Sequence, residues 1–343
     1  MRDDKRTTDP LLPEVRPGFL DRFRSTIGPG RVIRGIGRYE ILRLLGEGGM
    51  GRVYLAEKAG AFGFSKLMAI KVLPKNRVRY KSDRAMFLDE ARLCGGLNHP
   101  NIVQVYQLGE TRHEFFIIME HVFGVTVLDL IERLQELKIN VAMKYGVYIM
   151  TRILSGLHYA HNRHNRDGQH MGIIHRDICP SNILISFRGI PKLSDFGVAK
   201  SKLNEFDDEK KIVFGKYPYM APEQVRREGT EIRSDIYSLG LVMYELFTQQ
   251  LAHEVGNTEM LLADLETKKV IPPIDLNADI PADLSKIIMK AVSTDKNNRY
   301  KSAKAMRLAL ETFMLKNFMF PEQDDFADYL CDLFPKAAKH RWW

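Results

Sequence analysis

The feature that most restricts the fold of this 343-residue chain is a glycine turn between two strand-like segments, residues 39–45 and 52–57. Gly46, Gly48 and Gly51 form a G-x-G-x-x-G pattern there. Glycines let a backbone approach phosphate groups closely and present bare N–H donors. In dinucleotide-binding folds a helix follows this pattern, whereas a strand follows it here. The pattern therefore predicts an antiparallel hairpin, which either holds a phosphate at its turn or is a tight turn without a ligand.

The rest of the chain divides into a strand-rich part and a helical part. Further strand patterns occur at residues 67–73, 102–108 and 115–120. One helical pattern, at residues 83–97, lies between them and has Phe87, Ala91 and Cys94 on one side. Helical patterns then dominate, at residues 127–137, 142–161, 234–248, 258–267, 282–292 and 302–315. A five-stranded antiparallel sheet with one helix, followed by a mainly helical part, is an α+β arrangement.

Composition limits the ligand classes without choosing one. The chain has 51 Lys and Arg against 43 Asp and Glu, a net charge of +8, which favours anionic ligands. The charge runs are short and of mixed sign, so we expect a solvated surface and no nucleic-acid partner. Three scattered cysteines, Cys94, Cys179 and Cys331, are too few for a disulfide framework or a zinc site and predict a cytoplasmic setting. The start has no signal-peptide core, and no window reaches the roughly 18 apolar residues of a membrane span.

The two ends differ from the middle of the chain. Residues 1–37 are rich in Pro, Gly and Arg and are interpreted as an arm or linker, with one helical turn or two at residues 19–27. We divide the remainder into a strand-rich lobe at 38–123, a helical lobe at 124–315 and an amphipathic extension at 316–343. The extension has apolar residues at helical spacing, namely Phe326, Tyr329, Leu330, Leu333 and Phe334. We expect this face to pack on the chain's own helical lobe, and a partner at this helix is the alternative.

A single lysine interrupts an otherwise apolar strand. Lys71 lies in the run Met-Ala-Ile-Lys-Val-Leu at residues 68–73. A buried ammonium group needs a partner, or it loses its charge. Glu90 lies on the following helical segment and is the candidate partner; the pair would hold the ammonium group against phosphates. The alternative is an edge-strand lysine that points to water.

Two polar segments carry the most information. Residues 175–182 read His-Arg-Asp-Ile-Cys-Pro-Ser-Asn, residues 195–197 read Asp-Phe-Gly, and residues 221–223 read Ala-Pro-Glu. With the glycine turn, Lys71 and Glu90, they follow the order and spacing of one family. The chain resembles eukaryotic-like protein kinases of the bacterial Ser/Thr branch, over about residues 39–315. Asp235 and Arg299 match two further positions of that family.

The resemblance implies a bilobal protein kinase fold and a transferase that moves the γ-phosphate of ATP to Ser or Thr hydroxyls of proteins, itself included, in bacterial signal transduction. Asp177 would then accept the proton of the substrate hydroxyl, and Asn182 and Asp195 would hold Mg²⁺. Lys71 would bind the phosphates, and Glu90 would fix Lys71. The implied ATP-binding residues are Leu45, Gly46, Glu47, Gly48, Gly49, Met50, Gly51, Val53, Ala69, Lys71, Met119, Glu120, Val122 and Leu184.

Within that set, the family pattern gives individual roles. Main-chain groups of Glu120 and Val122 would bond adenine, with Met119 as the gatekeeper. Phe196 is expected to pack inside the protein instead of touching a ligand. Arg299 is expected to pair with Glu223 as a buried structural ion pair.

One departure from the family pattern concerns a cation. Most Ser/Thr members have Lys two residues after the catalytic Asp and Gly-Thr before the Tyr-x-Ala-Pro-Glu region, whereas here the residues are Cys179 and Gly215-Lys216. We interpret this as an exchange, in which Lys216 reaches Asp177 and the γ-phosphate and joins the catalytic residues. The alternative is that Lys216 faces solvent.

A second departure concerns the segment from Asp195 to Glu223, which contains no Thr and has Ser201 as its only Ser. Kinases with Arg before the catalytic Asp typically use that Arg, here Arg176, to bind a phosphorylated loop residue. The loop instead has four carboxylates, Glu205, Asp207, Asp208 and Glu209. They either replace a phosphate beside Arg176 or form a solvated acidic loop.

Other functions remain as alternatives. Cys179 and Lys216 allow a pseudokinase scaffold, although Lys71, Asp177, Asn182 and Asp195 are all present. A small-molecule kinase is disfavoured because residues 221–223 and the helices that follow build a platform for protein substrates, and residues 180–181, Pro-Ser, argue against tyrosine specificity. The histidines at 158, 161, 164, 170 and 175 match no metal-site spacing, so a surface loop is preferred to a metal site.

Overall fold

The computed structural model describes residues 32–33, 39–48, 51–74, 87–88, 91–111, 114–196, 217–253 and 257–340. Several predictions lie outside these residues: those for Gly49, Met50, Glu90, Gly197, Ser201, the acidic residues 205–209, Gly215, Lys216 and the helical turn at 19–27.

The small lobe is built on an antiparallel sheet with the strand order β1-β2-β3-β4-β6-β5. Its strands are β1 (Val32–Ile33), β2 (Tyr39–Gly48), β3 (Gly51–Ala59), β4 (Ser65–Pro74), β5 (Val105–Glu110) and β6 (Glu114–Glu120). The five strands predicted from the sequence are all present. The strand β1 was not predicted; it pairs with the start of β2 and lies inside the segment interpreted as an arm.

The strand β4 lies in the interior of the sheet, and its apolar side chains are buried on both faces of the sheet. Met68, Ile70 and Val72 are buried in one apolar cluster on one face. Leu73 points to the other face, where it packs with Phe87 and other residues of the predicted small-lobe helix. This helix is described at residues 87–88 and 91–95. Because side chains alternate along a strand, the residue two before Leu73, which is Lys71, belongs to the helix-covered face.

The large lobe is mainly helical, as predicted. Its described helices are α1 (Val127–Leu137), α2 (Met143–His161), α3 (Pro222–Val225), α4 (Ile232–Thr248), α5 (Thr258–Thr267), α6 (Pro273–Leu276), α7 (Ala282–Ala291), α8 (Ala303–Lys316) and α9 (Gln323–Leu333). A small antiparallel sheet, β7 (Gly124–Thr126), β8 (Ile183–Ser186) and β9 (Pro191–Leu193), lies beside them in the order β7-β8-β9. The helices α2 and α4 are mostly buried and form the centre of the main core.

Local sequence explains where several helices begin. Thr126 caps α1 because its hydroxyl accepts a hydrogen bond from the Asp129 amide at 3.0 Å, while the Asp129 carboxylate accepts one from the Thr126 amide at 2.7 Å. Ser302 caps α8 in the same way through the amide of Ala305. These caps satisfy amides that the first helical turn leaves without a partner.

One predicted strand begins later than expected. The sequence pattern started at Ile102, but β5 starts at Val105, because Ile102 instead forms a parallel bridge to Leu193 of β9. The amide of Val103 donates to the Leu193 carbonyl at 2.9 Å, and Asn101 donates through its side chain to the Pro191 carbonyl at 2.9 Å. These residues therefore join the small lobe to the large lobe instead of extending the sheet.

The apolar face of α9 packs on the large lobe. Phe326 is fully buried, and its ring lies 5.1 Å from the ring of Tyr145 and 5.5 Å from that of Tyr148. Arg133 of α1 donates to the Leu333 carbonyl at 2.9 Å. The chain itself therefore covers this face, and the alternative of a partner on it finds no support. Among the described residues, none of the helices combines the length and apolar character that crossing a bilayer requires.

Candidate active site

Lys71 lies in the middle of the small-lobe sheet. Its strand, β4, runs between β3 and β6, and Lys71 pairs with Val53 on one side and Ile117 on the other. The residue is buried, and its Nζ donates to Oδ1 of Asp195 at 2.7 Å. The alternative of an edge-strand lysine is therefore wrong. Asp195 is thus a charged partner of the Lys71 ammonium group. The predicted partner, Glu90, lies outside the described residues.

A buried carboxylate on α4 holds the backbone of the segment 175–177. Asp235 is 1% exposed and accepts hydrogen bonds from the amides of His175 and Arg176, both at 2.8 Å. His161 Nε2 lies 2.8 Å from the same carboxylate. Burial by itself would raise the pKa of Asp235, but the bond from His161 and the bond from the His175 amide hold this pKa below its usual value. Arg176 has a left-handed backbone with φ of 64°, and the two bonds fix this uncommon conformation.

His175 connects the two polar segments of the site. Its Nε2 lies 3.0 Å from the Ser194 carbonyl, and its Nδ1 accepts from the Asp177 amide at 3.2 Å. Burial lowers the pKa of His175, so the ring is neutral, and the tautomer with the proton on Nε2 satisfies both contacts. Its ring also lies 4.5 Å from the buried ring of Phe196. The ring thus fixes the chain on both sides of Asp195.

Asp177 and Asn182 lie side by side. The Asn182 side chain donates through Nδ2 to the main-chain carbonyl of Asp177 at 2.7 Å and to its carboxylate at 3.1 Å. The main chain of Asn182 is fixed as well, because its amide donates to the Cys179 carbonyl and its carbonyl accepts from the Ser194 amide. Since Nδ2 faces Asp177, Oδ1 of Asn182 faces away and is a hard oxygen donor.

The remaining predicted nucleotide-binding residues that the structure describes lie on the strands around Lys71 and at the connection between the lobes. Leu45, Gly46, Glu47 and Gly48 end β2, Gly51 and Val53 begin β3, Ala69 is in β4, Met119 and Glu120 end β6, Val122 follows, and Leu184 is in β8. Gly48 pairs with Gly51, so β2 and β3 form the predicted hairpin.

Gly51 and Gly46 of the hairpin differ in how much space surrounds them. A Cβ on Gly51, whose φ is 120°, would lie 2.2 Å from the Val72 carbonyl oxygen, so no other residue fits there. A Cβ on Gly46 would meet no atom within 4 Å. Packing inside the protein therefore explains Gly51 and leaves open space beside Gly46.

The connection between the lobes limits how Glu120 contacts a ligand. Its amide already donates to the Gln104 carbonyl at 2.8 Å, and its side chain pairs with Lys192 at 3.0 Å. Of its two main-chain groups, only the carbonyl is left for the predicted contact with adenine. Behind Met119, which pairs with Ala69, a cavity extends to Lys71 and Asp195 and is lined further by Cys94, Val103, Ile117, Leu193 and Phe196.

The predicted pair of Arg299 and Glu223 is present. Two parallel bonds of 2.8 and 2.9 Å join the guanidinium group to the carboxylate, and Ser234 donates a third bond to Glu223 at 2.6 Å. Burial alone would raise the pKa of Glu223, but the bonds from Arg299 and Ser234 hold it below its usual value. The guanidinium group also lies 4.6 Å from the centre of the Tyr237 ring. This pair anchors the segment 221–223 to α4 and to the residues before α8.

Two sets of contacts around the segment 175–182 were not predicted from the sequence. Arg176 Nε donates to the Thr230 hydroxyl at 2.7 Å, and Gln224 donates to the Arg176 carbonyl at 3.2 Å. The predicted acidic partners of Arg176 lie outside the described residues. No sequence signal marks Thr230, because a single threonine before a helix is common.

The second set lies beside Cys179, which is buried with its Sγ 3.3 Å from the Ser181 hydroxyl. Tyr219 lies near it in the same pocket wall and donates to the carboxylate of Glu245 at 2.5 Å. Burial raises the pKa of Glu245, which favours a short bond to the phenol. The predicted neighbour Lys216 lies outside the described residues, so the exchange with Cys179 stays a prediction.

The histidines considered for a metal site are dispersed. His161 and His175 bind Asp235 or its neighbours, whereas His164 and His170 pair with each other in an exposed turn, with ring centres 5.3 Å apart. Across the ranges that the structure describes, no group of three or more His, Cys, Asp or Glu is placed to hold a metal ion.

Comparison with known families decides what this arrangement belongs to. The family described as protein kinase domain matches residues 39–310, which is most of the chain. The chain belongs to the protein kinase domain family. The kinase domain of PknI from Mycobacterium tuberculosis has a similar fold, with a TM-score of 0.61 and 23% identity over 84% of this chain and 99% of that chain. The prediction of a protein kinase fold with two lobes is confirmed.

The chain is also similar to curated bacterial protein kinases, three of which follow. The chain is 36% identical to the tyrosine-protein kinase MasK of Myxococcus xanthus, over 81% of this chain and 43% of MasK. It is 35% identical to the serine/threonine-protein kinase PrkC of Bacillus subtilis, over 80% of this chain and 40% of PrkC. It is 33% identical to the serine/threonine-protein kinase PknB of Mycobacterium tuberculosis, over 80% of this chain and 42% of PknB. The matched region thus spans less than half of each relative.

Proposed function

We propose that this kinase domain is a protein serine/threonine kinase, which transfers the γ-phosphate of ATP to Ser or Thr hydroxyls of proteins. One observation carries the proposal: the ion pair of the buried Lys71 with the partly exposed Asp195 and the bonded pair of Asp177 and Asn182 are both fixed by the neutral ring of His175 and the carboxylate of Asp235. Phosphoryl transfer requires a protein mainly to position the reacting groups and to neutralise the charge of the phosphates.

In the proposed complex, the ammonium group of Lys71 binds ATP phosphates. The pair with Asp195 keeps the ammonium group charged although it is buried. The open space beside Gly46 would let the phosphates approach the hairpin backbone closely, and Met119 and the Glu120 carbonyl would border the adenine.

The donor set fits magnesium. Oδ1 of Asn182 and the carboxylate of Asp195 are hard oxygen ligands, of the kind that Mg²⁺ takes together with phosphate oxygens and water. Bound there, Mg²⁺ would neutralise phosphate charge. Asp177 orients Asn182 by accepting two bonds from its amide, and the shorter of them, at the main-chain carbonyl of Asp177, does not depend on the Asp177 side chain.

The step itself needs one proton acceptor. The substrate hydroxyl oxygen forms a bond to the γ-phosphorus, and the bond between this phosphorus and the bridging oxygen to the β-phosphorus breaks, which releases ADP. Asp177 accepts the hydroxyl proton and orients the hydroxyl for in-line attack. Lys216 as an additional cation at the γ-phosphate is part of this proposal, as is autophosphorylation.

The acceptor residue is the point on which the relatives differ by name. PrkC and PknB are named serine/threonine kinases, whereas MasK is named a tyrosine kinase. The Pro-Ser sequence at residues 180–181 favours the serine/threonine assignment. A role in bacterial signal transduction and a cytoplasmic setting stay predictions.

The test is incubation of the chain with Mg-ATP and a generic basic protein, followed by phosphosite mapping on both proteins. We expect phosphoserine and phosphothreonine on the basic protein. Phosphotyrosine alone would move the proposal to the tyrosine class. ATP binding without any transfer would favour the pseudokinase scaffold and refute the proposal.

A further inference from the structure

The turn between β3 and β4 exposes two aromatic rings. Phe62 is fully exposed and Phe64 is exposed over 62% of its surface. The turn is nevertheless ordered, because the Gly60 amide donates to the Phe64 carbonyl at 2.7 Å and the Phe64 amide donates to the Ala61 carbonyl at 3.1 Å. We call residues 60–64 the Phe62 tip. Two exposed rings within three residues of an ordered turn are not the scattered exposure that is normal for a surface.

Neither backbone conformation nor packing explains Phe62. Its φ is 55°, a left-handed conformation that Gly, Asn or Asp adopts more readily than an aromatic residue. Its ring, being fully exposed, gains no burial inside the described chain. A polar residue would suit both the turn and water better, so the ring points to an apolar environment outside the chain.

Two lysines lie directly behind the tip. Lys58 and Lys66 are opposite each other in the ladder between β3 and β4, so their side chains leave the same face of the sheet. Like charges in this position are destabilising. Among the described residues neither has a carboxylate within salt-bridge distance; their ammonium groups instead lie over the rings of Tyr39 and Tyr106. A negatively charged surface at this place would relieve the repulsion.

The aromatic rings lie at the end of the hairpin and the lysines lie behind them, which is the order in which apolar and cationic groups occur at a lipid interface. Lys66 is two residues from Phe64, or about 7 Å along an extended strand. Interfacial elements bury apolar groups roughly 5–10 Å into the boundary between headgroups and acyl chains and keep cations at anionic headgroups. Phe62 and Phe64 at the end of the hairpin, with Lys58 and Lys66 behind them, have this arrangement.

The surroundings of the tip favour lipid over protein. The residues between and beside the two rings are small: Ala59, Gly60, Ala61, Gly63 and Ser65. These small residues provide little surface area and few side-chain groups for specific contacts. A stable protein interface, in contrast, buries about 800 Å² on each partner. A fluid lipid surface asks only for apolar insertion and charge.

We propose that the Phe62 tip binds the chain to anionic lipid bilayers, with the rings of Phe62 and Phe64 inserted and Lys58 and Lys66 at the headgroups. The tip lies at the opposite end of β3 from Gly51, about 27 Å away along the strand. Binding there leaves the nucleotide hairpin and the segment 175–182 accessible. The proposal is independent of the assignment of kinase activity.

The test is flotation of the full chain with vesicles of phosphatidylcholine alone and with vesicles of an equimolar mixture of phosphatidylcholine and phosphatidylglycerol. We expect binding to the mixed vesicles. The variant F62S/F64S should lose more than about tenfold in affinity, since each inserted ring contributes burial energy of that scale. K58Q/K66Q should lose about fivefold per lysine. The control L308S/L315S removes two exposed apolar side chains of α8 in the large lobe and should change nothing.

A second variant keeps the aromatic character and therefore the turn. The chain already has two tryptophans, Trp342 and Trp343. The fluorescence of the new tryptophan in F62W is therefore measured as the difference between the emission spectra of the variant and the wild type. We expect its emission to shift to shorter wavelength with mixed vesicles. Equal binding of wild type and F62S/F64S, or no emission shift in F62W, would overturn the proposal. Absence of vesicle binding with a self-association that F62S/F64S abolishes would also overturn it and assign the tip to a second copy of the chain.

Discussion

At the scale of single residues, the site depends on groups that are buried and yet charged or hydrogen-bonded. Asp235 shows the principle: it is inaccessible to water, and its two main-chain bonds set the backbone that carries Asp177. His175 supplies the second support through its contacts with the Ser194 carbonyl and the Phe196 ring, the residues on either side of Asp195. Each buried polar group is costly by itself, and their mutual bonds offset this cost. The arrangement is therefore sensitive to small chemical changes.

Replacement of Lys71 by Met tests the phosphate contact. K71M should lower kcat/KM at least about 10²-fold, because one charge contact in the transition state is lost. The matched control is K66M, which changes an exposed lysine of the same strand, β4, and should retain wild-type kcat/KM. The measurement is steady-state phosphorylation of a generic basic protein. Wild-type kcat/KM in K71M would refute the assigned role of Lys71.

The stability of the chain should fall as the pH falls below about 6.5, in part because of His175. Burial lowers the pKa of this residue in the folded state, so between the lowered value and about 6.5 only the unfolded chain takes up its proton. The slope attributable to one such residue is at most about 1.4 kcal/mol per pH unit. Urea unfolding of wild type and H175Q across this window measures it.

We expect a shallower pH slope in H175Q than in wild type. Equal slopes in wild type and H175Q would mean that His175 is not held neutral in the folded protein.

Residue patterns in the sequence predicted the main members of the candidate site but not all of their contacts. Lys71, Asp177, Asn182 and Asp195 were recognisable because the family motifs carry them. The hydroxyl of Thr230 beside Arg176 was not, because its position depends on how the chain folds before α4. The same holds for the bond from Tyr219 to Glu245.

At the scale of elements, periodicity was sufficient where an element is long and one-sided. The strands β2 to β4 and the helices α1, α2 and α4 follow their patterns closely. Periodicity did not predict the short strands. The strand β1 has two residues and β9 has three, which are too few for a periodic signal. Ile102 was misassigned because its partner, Leu193, lies far along the chain.

The helix α9 should contribute strongly to the stability of the large lobe. F326A removes a fully buried ring from its contacts with Tyr145 and Tyr148, which should cost about 3–5 kcal/mol in the free energy of unfolding. The control F320A removes a largely exposed ring and should stay within about 0.5 kcal/mol of the wild type. Chemical denaturation measures both. A loss in F326A no larger than in F320A would show that α9 does not pack on the lobe in solution.

At the scale of the whole molecule, a few contacts join the two lobes around the site. Lys71 of the small lobe bonds Asp195 of the large lobe, and Glu120 pairs with Lys192. The amide of Val103 bonds the carbonyl of Leu193. Each of these contacts lies on β9 or directly beyond it. The position of Asp195 relative to Lys71 therefore depends on how β9 is held, and a shift between the lobes would change the site.

The central claim is that Asp177 accepts the hydroxyl proton in a phosphoryl transfer and does not bind the nucleotide itself. The most direct measurement is the rate of γ-phosphoryl transfer by D177N to a generic basic protein, together with its affinity for Mg-ATP. We predict a loss of transfer of about 10²–10⁴-fold with wild-type affinity for Mg-ATP. Transfer by D177N at the wild-type rate would contradict the account.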